Sequence, residues 1–375
     1  MKELSFQDMK DILLGCTVLG TGGGGEMSEG LALINEVIEK GLPLRLVGLD
    51  EAPDDEWICT PYLLGALDLT AKEADEYKAL PRNAEPAICA AYSRIESYFD
   101  RKFYGTVCCE MGGSNTAVAF YTAALNGGVV IDGDPAGRAV PEITHSTYYL
   151  NGLDAAPVIA ANSFCETFVC EGLHDDQRAE HVMRALCQVS ANDIAAIDHA
   201  MPVKDIRHAL IGGTISKAWA LGKAVSAAKE EGADIAKVIA DVGNGFVAFR
   251  GKVTAFEFDT IGGFSVGTVD LAGADDDEGN DAGHTYKLGV KNENLISYYD
   301  GEVDVTIPDL ICVIDENTGE PVTNPHYEIG QSLAVIILPA PDAFLTPKGL
   351  ATFGPAYVGV DAPYRPASLQ NRHNK

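Results

Sequence analysis

Three short stretches and a few thiols carry the side chains that could do chemistry. "EMGGSN" holds Glu110, Gly112, Gly113, Ser114 and Asn115. "DGDPAGRAVPE" holds Asp132, Asp134, Arg138 and Glu142, with His145 three residues on. A glutamate beside a glycine turn and a helix start can hold a water and take its proton. Asp132 and Asp134, one residue apart, could share a proton or ligate a divalent cation, with His145 near enough in sequence to join them. Arg138 could neutralise them or clamp a carboxylate in two-pronged fashion. The cofactor is therefore unknown, with a divalent metal possible, and His145 fits no strong zinc spacing. The third stretch, "LGTGGGGEMS", gives Gly22, Gly23, Gly24 and Gly25 before a helix, where backbone N–H groups could hold a ligand. Cys108 and Cys109, vicinal in a predicted strand, and Cys165 are the thiols weighed for covalent chemistry.

The glycine run admits other readings. Gly20, Gly22 and Gly25 satisfy GxGxxG and Asp50 ends the next strand, as a dinucleotide site requires, but a capped helix is predicted before the run. A P-loop fails because Glu26 stands where lysine should.

The elements that must position these residues follow from period and punctuation. Ser5, with Asp8 three residues on, opens a helix expected to end near Gly15. Leu31, Ile34, Val37 and Ile38 share one face of a second helix that stops before Gly41. "FYGTVCCEMG", "SNTAVAFYTAALNGG" and "VVIDGD" read as strand, helix and strand, a βαβ unit. Its two strands would run parallel, so Glu110 and Asp132 would meet at their carboxyl ends, with Ser114 or Asn115 capping the helix. "DDQRAEHVMRALCQVSANDIAAIDHAMP" and the segment from Thr214 read as helices. From about Phe246 the texture becomes short alternating strands. The fold class is an α/β N-terminal domain with a mainly parallel sheet plus a β-rich C-terminal domain, α+β overall. The domains are expected at 1–168 and 169–365, the second with a helical segment before a sandwich or barrel, and 366–375 as a flexible tail. "ADDDEGND", from Ala274, reads as an exposed hairpin loop rather than a calcium loop.

The 375 residues carry a formal charge of -28, which disfavours nucleic acid and an acidic membrane leaflet as partners. No uncharged apolar run approaches the ~20 residues of a membrane span, and the start lacks a secretory signal, so a cytoplasmic location is expected. Nine cysteines without CxxC spacing suit reduced core thiols. A small-molecule substrate and a homo-oligomer are the default expectations for such a chain.

The order "LGTGGGG", "EMGGSN", "DGDPAGRAVPE", "KNENL", "DENTGEP" and "GLATFGPAYVGVDAPYRP" resembles the S-methyl-thiohydantoin desulfurase family, long described as a domain of unknown function. Similar proteins are often labelled hydantoinase or oxoprolinase related. The resemblance runs from about Ser5 to Pro366. It implies a cytoplasmic two-domain hydrolase that cleaves the C–S bond of an S-methylated thiohydantoin, giving a hydantoin and methanethiol. The family's patterns fall on Gly22 to Gly25, on Glu110, Gly112, Gly113 and Asn115, and on Asp132, Asp134, Arg138 and Glu142, without assigning each a role. In the reading adopted, Glu110 or Asp132 deprotonates the water, and N–H groups near Gly112 to Asn115 and the glycine loop orient the ring carbonyl. Arg138, fixed by Asp134 and Glu142, holds an acidic side arm of the substrate. Alternatives are a thiolate, Cys109 or Cys165, that displaces methanethiolate; a non-catalytic partner subunit or binding protein; and an NAD-dependent oxidoreductase.

Overall fold

The computed structural model describes residues 1–66, 69, 71–273 and 281–367. The acidic stretch at 274–280 and residues 368–375 of the expected tail lie outside them. Pro366 and Ala367 do not, and the Ala367 N–H donates to Asp309 Oδ2 at 2.8 Å.

The first sheet comprises β1 (Lys2–Leu4), β2 (Leu44–Gly48), β3 (Trp57–Gly65), β4 (Gly105–Thr106), β5 (Val129–Asp134), β6 (Val158–Ala161), β7 (Thr167–Cys170), β8 (Asp193–Pro202) and β9 (Ile211–Gly212). Its order is β1-β2-β5-β4-β3-β8-β6-β7, with β9 on β5. The central pairs β2–β5, β5–β4 and β4–β3 are parallel, while β1, β8, β6 and β7 join antiparallel. β4, the helix Asn115–Leu125 and β5 form the expected βαβ unit, so the loop after β4 leaves from the carboxyl edge of the parallel core.

The second sheet is antiparallel throughout: β10 (Phe246–Ile261), β11 (Phe264–Gly273), β12 (Thr285–Lys291), β13 (Glu293–Tyr299), β14 (Glu302–Thr306), β15 (Leu310–Asp315) and β16 (Ser332–Leu338). The order is β14-β13-β12-β11-β10-β16-β15. β12 alternates buried and more exposed residues, as a sheet with one solvated face does, whereas β15 and β16 are buried at nearly every position.

Two helices couple the sheets. The helix Phe6–Leu19 starts with the capping box of Ser5 and Asp8 but runs past Gly15. Gly15 is an interhelical contact rather than a stop: a Cβ there would lie 1.8 Å from the Ala218 carbonyl oxygen. Gly222 on the helix Thr214–Glu231 answers it, 1.7 Å from the Asp11 carbonyl oxygen. The two glycines let the backbones touch. Ile12 and Leu13 of this pair share a core with Leu310, Cys312 and Ile336 of the second sheet.

A second departure concerns "ANDIAAIDHAMP". The helix Asp176–Val189 ends there, Ala191 and Asn192 take positive φ of 60°, and residues 193–202 form β8. Ile194, Ala195, Ala196 and Ile197 are all buried, an unbroken apolar run that suits a strand covered on both faces. Among the described residues no helix is long and apolar enough to cross a membrane.

Candidate active site

A cleft of about 730 Å³ opens between the two sheets. Its walls include Gly22 to Gly25, Glu110, Ser114 and Asn115 from the first half of the chain and Asn292, Glu293 and Asn324 from the second. Eight acidic residues line it, against one arginine and no lysine among the described residues. The cleft therefore favours a neutral ligand or one that gains positive charge over an anion.

Glu110 sits in the turn after β4, buried at 7% exposure. Asn115 Nδ2 donates to its Oε1 at 2.7 Å and the Val140 N–H donates to its Oε2 at 2.8 Å. Burial raises its carboxyl to about 6, with those two donors working the other way. Such a group is mostly ionised at neutral pH yet basic enough to accept a proton.

The turn glycines bring two remote loops together. Ser114 and Asn115 N–H groups donate to the Gly24 carbonyl at 3.1 and 3.0 Å, and the Gly112 N–H donates to Thr116 Oγ1 at 3.2 Å. A Cβ on Gly24 would come within 2.5 Å of Gly112 Cα. These amides staple the glycine run to the helix start instead of pointing at open space, which corrects the expectation that they orient a ligand carbonyl. Neither Ser114 nor Asn115 caps its helix with a side chain: the Ser114 hydroxyl has no partner, and the Asn115 amide bonds Leu63 and Glu110. Gly22 to Gly25 remain cleft wall. A helix, not a strand, precedes them, and Asp50 is fully exposed, so the dinucleotide geometry is absent.

The "DGDPAGRAVPE" residues disperse. Asp132 accepts from the N–H and hydroxyl of Ser216 at 3.0 and 2.5 Å, serving the start of the helix Thr214–Glu231. Asp134 is completely buried and accepts the Ala136 and Gly137 N–H groups at 3.0 and 2.8 Å. His145 packs between Phe353 and Tyr357, ring centroids 4.6 and 4.5 Å away, and burial holds it down to about 3. Asp132, Asp134 and His145 therefore do not form a metal site. Among the described residues no cluster of three or more His, Cys, Asp or Glu side chains is arranged to hold a metal. Glu142 does reach the cleft wall, where Lys291 Nζ and Tyr357 Oη each donate to it at 2.5 Å.

Arg138 is the largest revision. It is fully buried, and each of its five N–H groups is engaged. Nε donates to the Ala139 carbonyl at 2.9 Å, Nη1 to the Pro308 and Asp309 carbonyls at 3.2 and 2.9 Å, and Nη2 to Thr21 Oγ1 at 2.8 Å and the Asn294 carbonyl at 3.5 Å. Neither Asp134 nor Glu142 fixes it. It ties the first half of the chain to the second, so it has no donor left for a substrate carboxylate. Of the thiols, Cys165 is exposed and outside the cleft wall, while Cys109 lines the cleft with burial and Glu110 pushing its thiol well above the usual range.

Two comparisons bear on this architecture. The C-terminal domain description of the S-Me-THD-like family matches residues 174–367 and its N-terminal domain description matches residues 7–172. The chain belongs to the S-Me-THD-like family. A protein from Chromobacterium violaceum, solved by X-ray crystallography, shares the fold with a TM-score of 0.74. It is 24% identical over 98% of this chain and 100% of that one. Among curated proteins no sequence matches.

Sequence alone assigned no role to three groups of cleft residues in this S-Me-THD-like chain. His199, on β8 at a positive φ of 42°, has Nδ1 2.7 Å from Asp198 Oδ1, and Tyr62 Oη donates to Asp198 Oδ2 at 2.9 Å. Burial works to lower the imidazole pKa, but Asp198, helped by Asp176 and the Leu153 backbone, raises it overall. Arg184 and Glu180 form a buried pair at 2.7 Å, at helix spacing i, i+4. Glu293, in the "KNENL" segment, is 2% exposed, and its Oε2 has no hydrogen-bond partner. Only "KNENL" was legible beforehand, as part of the motif order, without a role.

Proposed function

We propose that this chain is a hydrolase that replaces the methylthio group of an S-methyl-thiohydantoin, or of a similar cyclic amidine-like ring, with oxygen. Water attacks the ring carbon between the nitrogens, the C–S bond breaks, and a hydantoin and methanethiol leave. Family membership makes this the natural substrate class. The observation that carries the reading is Glu110: a buried carboxylate on the cleft wall, oriented by Asn115 and Val140, with its proton affinity raised to about 6. A base so placed typically contributes about 100-fold to 10,000-fold. The acidic lining supports the same reading, because protonation of a ring nitrogen, which makes the carbon electrophilic, puts positive charge on the ring.

The test is methanethiol release from a panel of S-methyl-thiohydantoins by the purified chain, before and after a chelator. Release that Glu110→Gln abolishes supports the proposal. Absence of release across the panel, or wild-type rates in the variant, removes it.

A further inference from the structure

The mechanism above uses one carboxyl of the cleft, yet the lining holds another from the second domain. Glu110 comes from the loop after β4 and Glu293 from the first position of β13, so the two domains each contribute one. Their surroundings differ. Both Glu110 oxygens receive an N–H donor, which favours the ionised form. Glu293 Oε2 receives none although the side chain is 98% buried, which favours the neutral acid. Gly23 is what makes room for it: a Cβ there would lie 2.0 Å from Glu293 Oε1.

Resting on the hydrolytic reading, we propose that Glu293 is the general acid of the reaction, protonating the ring nitrogen while Glu110 takes the proton of the attacking water. The charged groups around Glu293 are consistent with that division. Burial and the Glu110 charge both raise its carboxyl well above the usual range, and Arg138 and Arg184 pull the other way without cancelling them. Two carboxyls whose environments push their affinities apart are the arrangement that acid–base hydrolysis requires.

The atoms balance over the cycle. As the C–O bond forms, one water proton passes to Glu110 and the Glu293 proton passes to the ring nitrogen. The tetrahedral carbon then bears a hydroxyl, the methylthio group and a neutral N–H. On collapse the C–S electron pair leaves with sulfur, which takes the proton from Glu110. The hydroxyl proton returns to Glu293 as the new carbonyl forms.

The experiment compares two substrates: a neutral S-methyl-thiohydantoin and an N-alkylated analogue that carries a permanent positive charge on the amidine nitrogen and needs no acid. Glu293→Gln is expected to lower kcat/KM for the neutral substrate by about 100-fold or more and to leave the cationic analogue within about a fewfold of wild type. Wild-type enzyme should show an alkaline limb with the neutral substrate and none with the analogue, a readout that needs no variant to fold. Equal losses on both substrates would mean a structural role for Glu293. An unchanged variant, or the same alkaline limb with both substrates, overturns the assignment while leaving hydrolysis intact. If wild type turns over neither substrate, the hydrolytic reading fails and takes this proposal with it.

Discussion

Glu293 Oε1 lies 2.0 Å from the point where a Cβ on Gly23 would stand, although the two residues belong to different halves of the chain. The glycine run is thus shaped by what it packs against: Gly22 meets Asn324, Gly23 meets Glu293, Gly24 meets Gly112, and Gly25 meets Ser114. A side chain at Gly23 would push Glu293 away from the run.

Gly23→Ala is therefore expected to destabilise the fold by about 1–3 kcal/mol, as overpacking does, and to cut turnover. Urea denaturation of a double-mutant cycle with Glu293→Ala checks the cause. Truncating Glu293 should restore much of the stability lost at Gly23, and strict additivity of the two changes would show that the contact is not responsible.

The pH profile reports the proposed base. With the Glu110 carboxyl at about 6, log kcat/KM should climb with unit slope on the acid side and level off above that value, since only the ionised form accepts a proton. Glu110→Gln should abolish that limb together with at least about 100-fold of the rate. A limb that survives in the variant belongs to another group.

Arg138 acts on stability. Replacing it by Met leaves the carbonyls of Ala139, Pro308 and Asp309 and the Thr21 hydroxyl without their buried donor. A loss of roughly 3–5 kcal/mol is expected, the range seen when one side of a buried charged network is removed. Equilibrium denaturation measures it. A change under about 1 kcal/mol would show that the two halves do not depend on this guanidinium.

Asp134 should make stability fall with rising pH. Its folded value, raised by burial to about 7 from an ordinary 3.8, means that the folded state still holds a proton after the unfolded chain has released it. The contribution is complete below about pH 4, is lost progressively up to about pH 7, and amounts to at most roughly 4 kcal/mol. Glu110, raised to about 6, adds the same sign over a narrower window. Asp134→Asn keeps an oxygen for the Ala136 and Gly137 amides and removes the charge. The variant should gain stability relative to wild type between pH 4.5 and 8, and parallel pH dependences would contradict the assignment.

Local regularities were legible from the residues alone. The Ser5–Asp8 capping box, the strand–helix–strand unit around Glu110, and the change to alternating strands after Phe246 each depend on neighbours within a few positions. The same is true of Glu110's place at a strand's carboxyl edge. Readings that failed assumed that closeness in sequence means closeness in space. Asp132, Asp134, Arg138 and His145 are near neighbours in the chain, yet one serves a helix start, one holds a turn, one bridges to Pro308 and one packs under Phe353. Gly15 looked like a stop because nothing within its own helix reveals the Ala218 backbone against it.

By itself, then, the sequence determined many of the elements, the family and the position of Glu110, because hydrogen-bond period, turn chemistry and motif order are encoded over short stretches. Tertiary structure alone decided that Glu293 faces the same cleft, that Arg138 is fully engaged in joining the halves, and that His199 is paired with Asp198 beneath Tyr62. The two interdomain contacts join residues more than 150 positions apart, and even the adjacent His199–Asp198 pair depends on a bend in β8 and on Tyr62 from another strand. The interdomain contacts exist only once both sheets have packed on the shared helices, and the His199–Asp198–Tyr62 contact only once β3 and β8 have paired.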